Sequence, residues 1–352
     1  MKKSKSSEQH RGTLATPKNR FVSTTTTVDE EWDDSEEPLP QTEFLADDSQ
    51  TIIAYNDSPD LGFNASVNPY RGCEHGCVYC YARPTHEYLG FSSGLDFETK
   101  IMVKHHAAEL LRKELSAQKW KPQTIAMSGV TDCYQPIERK LKVTRGCLAV
   151  LAECRNPVGI LTKNSLVTRD IDLLTELARF DAAAVFISLT SLDTKLRASL
   201  EPRTSPPKAR LRTIEKLAAA GIPVGVMIAP VIPAVNDHEI PALVAAAADA
   251  GASYAAYVAV RLPHANKELF EQWLEEHMPD RKDKVLGQVR SLREGKLNDS
   301  AFGQRMRGVG NLAKQIEQLF NVSCRKSGIG GERLKLSVAA FRRPSGRQME
   351  LF

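Results

Sequence analysis

Cys73, Cys77 and Cys80 are spaced C-x3-C-x2-C in the run Asn68-Pro69-Tyr70-Arg71-Gly72-Cys73-Glu74-His75-Gly76-Cys77-Val78-Tyr79-Cys80-Tyr81-Ala82-Arg83. Three thiolates can hold three corners of a cubane [4Fe–4S] cluster and leave the fourth iron open to a substrate or cofactor, whereas a cluster with four cysteine ligands carries electrons. Zinc is the rival for the same thiols, in a Cys3His site completed by His75 or His86. Structural zinc sites more often use paired C-x2-C knuckles, and no second one is present. Gly72 and Gly76 would let the backbone wrap closely and aim N–H groups at sulfur. Cys133, Cys147, Cys154 and Cys324 are scattered. Cys147 and Cys154, seven apart on an expected helix, read as core thiols.

These residues need a frame. From about 65 to 263, short apolar runs alternate with amphipathic stretches. The runs predict strands at Ala65–Tyr70, Thr124–Ser128, Val158–Lys163, Ala184–Thr190, Val224–Ala229 and Ala255–Arg261. Helical spacing is expected near 105–117, 140–154, 168–179, 205–219 and 236–250, with Gly221 and Gly251 placed as C-caps before the next strand. Alternation of this kind reads as an α/β fold with a parallel sheet. Six units suit a partial (β/α)6 TIM-like barrel; a flat doubly wound sheet is the alternative. The cysteine run directly follows the first strand and so sits at that strand's C-terminal end, where α/β barrels build their sites. Residues 266–320 read as helices, and Arg333–Phe341 alternates as a half-buried strand would.

The cysteine segment resembles the radical S-adenosylmethionine (SAM) superfamily, whose hallmark is C-x3-C-x-φ-C with an aromatic at φ, here Tyr79. Asn68–Cys73, Tyr79–Arg83, Asp96-Phe97-Glu98-Thr99-Lys100, Thr131-Asp132-Cys133-Tyr134-Gln135-Pro136-Ile137-Glu138 and Leu161-Thr162-Lys163-Asn164 are similar to the subgroup related to spore photoproduct lyase. The likeness covers roughly 60–265. It implies that the open iron chelates SAM, that one electron cleaves the S–C5′ bond, and that the resulting 5′-deoxyadenosyl radical abstracts hydrogen from a substrate. It implies an electron donor such as flavodoxin or ferredoxin. Thr131 and Asp132 fall where the superfamily contacts the methionyl amino group, and an N-cap or turn role is the alternative. Lys163 falls where related lyases reach the cofactor carboxylate or ribose. Ser188 and Thr190 share one face of their strand and would meet the ribose if that face is the barrel interior. Arg203 is a candidate fork for the methionyl carboxylate, or else half of a surface pair with Glu201. Asn236 and Asp237 would close the adenosine side. Tyr79, Tyr81, Tyr134 and His86 are candidates to stack on adenine or a substrate base. Spore photoproduct lyases use a cysteine near the end of strand two as hydrogen donor; here that stretch has Gly129, and Cys133 is the shifted candidate.

Composition bounds the rest. No run approaches the roughly 18–20 apolar residues of a membrane span, Met1-Lys2-Lys3-Ser4-Lys5 lacks an apolar secretory core, and seven cysteines, three of them clustered, argue for a reducing, cytoplasmic setting. The expected organisation is a disordered tail at 1–50, a radical SAM core at 51–265, a mainly helical C-terminal extension at 266–341 and a flexible tail at 342–352. Net charge is +4, but residues 281–352 carry 16 Lys/Arg against 6 Asp/Glu, which points to a polyanion such as nucleic acid or to a solvated helical surface. Gln348-Met349-Glu350-Leu351-Phe352 resembles the bacterial sliding-clamp-binding pentapeptide, with Gln348, Leu351 and Phe352 as its anchors. The leading expectation is a radical SAM enzyme acting on a large substrate, with a DNA lesion or modified base preferred. The rival from another class is a non-catalytic zinc or Fe–S module bracing a nucleic-acid-associated protein.

Overall fold

A computed structural model of the chain describes residues 11–22, 41–330 and 334–344. The strands are β1 (Glu43–Ala46), β2 (Ile53–Tyr55), β3 (Ala65–Val67), β4 (Tyr70–Arg71), β5 (Lys100–Val103), β6 (Ile125–Met127), β7 (Val158–Thr162), β8 (Ala183–Ser188), β9 (Val224–Val231) and β10 (Tyr254–Ala259). The main sheet runs β10-β9-β8-β7-β6-β3-β2. Its six consecutive members from β3 to β10 pair in parallel, and β2 lies antiparallel on β3. Helices fill the crossovers: α1 (Ala107–Ser116), α2 (Val143–Cys154), α3 (Ile171–Ala178), α4 (Pro207–Ala219) and α5 (Ile240–Asp249).

The parallel strands follow chain order without reversal, so the sheet has no switch point of the doubly wound kind. Crossovers of one hand then carry every helix to the same face, as in a barrel. That is the open six-unit arrangement expected from the repeat. One face of these strands is sealed, since the alternate residues Val158, Ile160, Val185, Ile187, Val226 and Ile228 are all essentially inaccessible. Cys147 and Cys154 lie in this core.

Four expectations change. The single strand Ala65–Tyr70 divides at Asn68-Pro69. Proline has no N–H to give the ladder, and the Asn68 side chain accepts from the Val130 N–H at 2.8 Å instead. The chain then turns onto a second sheet, β1-β5-β4, and Cys73 donates its backbone N–H to Phe97 O at 2.8 Å. Part of the stretch expected to be a disordered tail is ordered: residues 11–22 lie along the domain, with Arg11 and Thr13 buried, and β1 pairs with β5. The half-buried strand expected up to Phe341 has no ladder among the described residues 334–341. There Ser337 N–H donates to Asp181 O and Arg342 N–H to Cys154 O, each at 2.8 Å. These acceptors lie at or just past helix ends, where carbonyls lack intrahelical partners. Arg342 and Arg343 are likewise fixed, to the carbonyls of Glu153 and Gln118 at 2.7 and 3.1 Å, where a flexible tail was expected. The pentapeptide Gln348–Phe352 lies outside the described residues.

The extension adds α6 (Asn266–His277), α7 (Lys282–Ser291) and α8 (Gly310–Lys326). Phe270, Trp273 and Leu274 of α6 join Val285, Leu286 and Val289 of α7 in an apolar cluster that also holds Cys77, Val78 and Tyr79. The cysteine loop is thereby braced from behind by the C-terminal helices.

Candidate active site

The loop after β4 carries the three thiols. Cys73 and Cys77 are buried, Cys80 is partly so, and all three are free of disulfides. The turn between the first two depends on Gly76, at φ 65°, where a Cβ would meet Glu98 Oε2 at 2.6 Å. Glu98 is the organiser here. It is fully buried, accepts from Arg83 Nη2 at 2.5 Å and from Gly12 N at 2.9 Å, and its carbonyl takes Arg11 Nη1 at 3.0 Å. Arg83 also donates to Cys77 O at 2.9 Å and Asn266 Nδ2 to Cys80 O at 2.7 Å, so the loop's carbonyls are tied down on both sides.

The donor set suits a cubane. Burial raises the Cys77 thiol well above its ordinary range; Glu201 adds to this, Lys163 opposes it, and Cys80 and Cys73 push it up more weakly. Cys80 is raised by burial and by Cys73. Ligation needs thiolates, and a bound cationic cluster supplies the charge that favours them. Among the described residues no group of three or more His, Cys, Asp and Glu could hold a single metal ion; a cubane differs in spreading its thiolates over separate irons. Of the two histidines that could complete a zinc site, one is ion-paired and the other is shut among aromatic rings, both its ring nitrogens without a hydrogen-bond partner among the described residues. His75 pairs with Asp132 at 3.3 Å, and His86 is enclosed between Phe91 and Phe97 with ring centroids 5.1 and 5.6 Å away.

Three expected site residues, Tyr79, Lys163 and Thr190, meet on one further side chain, and Ser188 joins them through Lys163. Glu201 is fully buried. It accepts from the Tyr79 hydroxyl, from Thr190 Oγ1 at 2.6 Å and from the Arg210 guanidinium, and Lys163 Nζ stands 4.0 Å away. Lys163 donates to Ser188 Oγ at 2.9 Å. Burial opposes ionisation of Glu201, but Arg210, Lys163 and the two hydroxyls outweigh it and hold the carboxyl at about 2. The surface Glu201–Arg203 pair weighed from the sequence does not form. Arg203 instead reaches Glu74 at 3.0 Å, beside Cys73. A signal for Glu201 existed in α4, whose buried face includes Arg210 beside Thr213, Ile214 and Leu217. A cation on an apolar stripe calls for a buried carboxylate.

Thr131 and Asp132 adjoin that group, Asp132 through the Lys163 backbone, and both are hydrogen-bonded within the scaffold. Thr131 Oγ1 donates to Tyr70 O at 2.8 Å. Asp132 accepts from Thr162 Oγ1, Lys163 N and Tyr134 N, each at 2.8 Å. Burial disfavours its charge, yet His75 and these donors bring it to about 2. His75, disfavoured as a cation by burial, is held protonated by Asp132 and Cys73, at about 10. Cys133 is fully buried in the apolar core, its thiol raised well above the ordinary range by burial. Tyr134 turns away to Asp170 at 3.1 Å, and Asn236 is spent on the carbonyls of Thr190 and Pro230 at 2.8 and 2.9 Å.

A strand-end site on an open six-unit α/β sheet, opened by a three-cysteine loop, defines a class. Residues 67–247 match the family model of the radical SAM superfamily, and the chain belongs to it, a superfamily of enzymes. An uncharacterized protein of Mycobacterium tuberculosis (strain H37Rv) is 39% identical over 222 residues, 62% of this chain and 65% of that one. An uncharacterized protein of Methanocaldococcus jannaschii is 31% identical over 173 residues, 49% of this chain and 62% of that one. The chain thus matches just under two thirds of these relatives' length. Among solved structures, spore photoproduct lyase complexed with dinucleoside spore photoproduct superposes with a TM-score of 0.59 at 17% identity, over 80% of this chain and 79% of that chain, a likeness of fold. Among the described residues no helix is long and apolar enough to cross a membrane.

Proposed function

We propose that Cys73, Cys77 and Cys80 hold a [4Fe–4S] cluster whose fourth iron takes SAM. When bound and reduced, the cluster supplies the electron that splits SAM into methionine and a 5′-deoxyadenosyl radical, which removes hydrogen from a substrate. The observation that carries this reading is the set of three unbridged thiols on one braced loop, adjoining the polar group around Glu201. In this reading Lys163 takes the cofactor carboxylate or ribose and Ser188 and Thr190 serve the ribose, their hydroxyls now bonded to Lys163, Ala229 O and Glu201, with Arg210 fixing Glu201. Tyr79, fully enclosed with its hydroxyl spent on Glu201, packs the wall behind the cluster and helps exclude water. Arg203, partly exposed beside Cys73, remains the candidate fork for the methionyl carboxylate. Cys133 is kept as a candidate hydrogen donor only through a route that opens its core position.

The substrate we propose is nucleic acid, a lesion or modified base. The basic balance of residues 281–352 supports this, and spore photoproduct lyase, whose fold is similar, has been solved with a dinucleoside photoproduct. An external one-electron donor of the flavodoxin or ferredoxin type and a cytoplasmic setting complete the proposal. Anaerobic reconstitution with iron and sulfide tests its foundation. The native chain should be brown and hold about four iron and four sulfide, and the Cys73→Ala/Cys77→Ala/Cys80→Ala chain almost none. A colourless native chain that retains zinc instead contradicts the proposal.

A further inference from the structure

The two edges of the open sheet are joined by a clasp. Ala259 of β10 donates its N–H to Met306 O at 2.9 Å. From the same loop Gly303 N donates to Asp60 Oδ1 at 2.7 Å and Arg305 Nε to Asp60 Oδ2 at 2.5 Å, just before β3. Arg305 also reaches Ser58. The loop 301–307 therefore spans from one sheet edge to the other. It presents Phe302, 57% exposed, with the Arg305 guanidinium 4.5 Å from its ring centroid.

A second exposed ring stands beside the cysteine loop. Tyr81 directly follows Cys80 and is 46% exposed. Its hydroxyl donates to Gly129 O, beyond β6, at 2.8 Å, and the Arg261 guanidinium lies 5.3 Å from its centroid, beyond β10. Arg261 links Tyr81 to the clasp loop, its Nη1 lying 3.7 Å from Met306 Sδ, and it faces both Arg305 and Asp60. Arg293, buried behind, donates to Gln304 O at 3.1 Å and Val260 O at 2.9 Å. Among the described residues Arg261 and Arg293 each keep a buried Nε without a hydrogen-bond partner, and of the three arginines Arg305 forms an ion pair, with Asp60. Like charges gathered with spare donors are stabilised by an anion with several acceptor oxygens. Exposed rings with a cation over the face suit flat, polarisable bases.

We propose that Tyr81 and Phe302, with Arg261 and Arg305, form a platform for single-stranded nucleic acid, with bases on the two rings and a backbone phosphate at these two arginines, while the buried Arg293 fixes the loop behind them. This deepens the proposed function by assigning its substrate surface, and it rests on that reading for the platform's place beside the reacting centre. An acidic peptide would meet the arginines but leave both rings without stacking partners.

The test is fluorescence anisotropy of the full chain with a short labelled single-stranded DNA, the same sequence as RNA, and the corresponding duplex. Single strands should bind more tightly than duplex, and the better of the DNA and RNA arms names the natural strand. Phe302→Ala, an exposed change, should weaken binding by roughly 5- to 100-fold, the range of one base–aromatic stack. Arg261→Gln should lower the slope of log affinity against log salt by about one. Phe302→Ala binding like the native chain, equal affinity for duplex, or equally good competition by inorganic polyphosphate overturns the platform. SAM cleavage by the reconstituted native chain, with and without damaged DNA, is measured in parallel. Its failure under both conditions sinks the reading of the cluster loop, whereas oligonucleotide binding alone decides the platform.

Discussion

Glu201 organises more of the site than any other single side chain. It ties Tyr79, from the cysteine loop, to Thr190 and Arg210. Removing one partner of a buried ion pair leaves an uncompensated charge, so Glu201→Ala should cost about 3–5 kcal/mol in urea denaturation of the cluster-free chain; a loss below about 1 kcal/mol would show that Arg210 finds another partner. The acid limb follows from the same residue and Asp132. Both folded-state values, about 2, lie below the ordinary 4.5 and 3.8, so the unfolded chain takes up protons first. Their contribution is full above the ordinary values and is lost as pH falls through them toward about 2. Urea midpoints of the cluster-free chain stepped down through this window should fall, less steeply in Glu201→Gln; parallel lines contradict the assignment. Lys163→Ala should weaken SAM binding by roughly 10- to 100-fold, the worth of a charge-assisted hydrogen bond, and calorimetry on the reconstituted chain reads it. The cysteines, Lys163, Ser188 and Thr190 could be named from spacing and strand ends. Glu201 was harder, because Arg210 on the apolar stripe of α4 calls for a buried carboxylate without saying which one.

At the level of elements, the parallel strands and their helices were legible because fully buried strands write continuous apolar runs and helices write a 3.6-residue stripe. The strap over residues 11–22 was hidden by its composition. It binds through backbone and polar groups, with Leu95 N–H donating to Ala15 O at 2.9 Å and Asn19 Nδ2 to the carbonyls of Glu87 and Phe91 at 2.9 Å, and such contacts leave no hydrophobic pattern. Gly12 is its tightest point, since a Cβ there would lie 1.7 Å from Gly76 O. Gly12→Val should therefore lift the strap from the cysteine loop, raise protease cleavage within 11–22 and speed cluster loss in air. A variant whose cleavage and bleaching match the native chain would show that the strap does not shield the loop. The expected strand before Phe341 failed for a different reason. Its alternation is real, but its backbone partners are isolated carbonyls near helix ends instead of a neighbouring strand.

Across the whole molecule the C-terminal extension does two jobs that sequence alone did not separate. Its α6 and α7 close the apolar cluster behind Cys77 and Tyr79, and the loop before α8 clasps the sheet edges through Asp60. Asp60→Ala should raise amide hydrogen exchange at Gly303 while the β7 and β8 amides stay protected; unchanged exchange would mean that Asp60 does not hold the clasp. The arginines of this region were read from the sequence as a diffuse basic surface, since charge counts cannot tell which guanidinium will stand over a ring. The clamp-like Gln348, Leu351 and Phe352 remain a separate proposal, and deletion of the last five residues should abolish sliding-clamp pull-down while sparing the cluster. The central claim is that three cysteines place an open iron where SAM is cleaved. Its most direct measurement is 5′-deoxyadenosine formation after anaerobic reconstitution and reduction with SAM, run with and without damaged DNA. The account predicts 5′-deoxyadenosine and methionine from the native chain and none from Cys77→Ala; a fully loaded native cluster yielding none under either condition, or equal yield from Cys77→Ala, would contradict it.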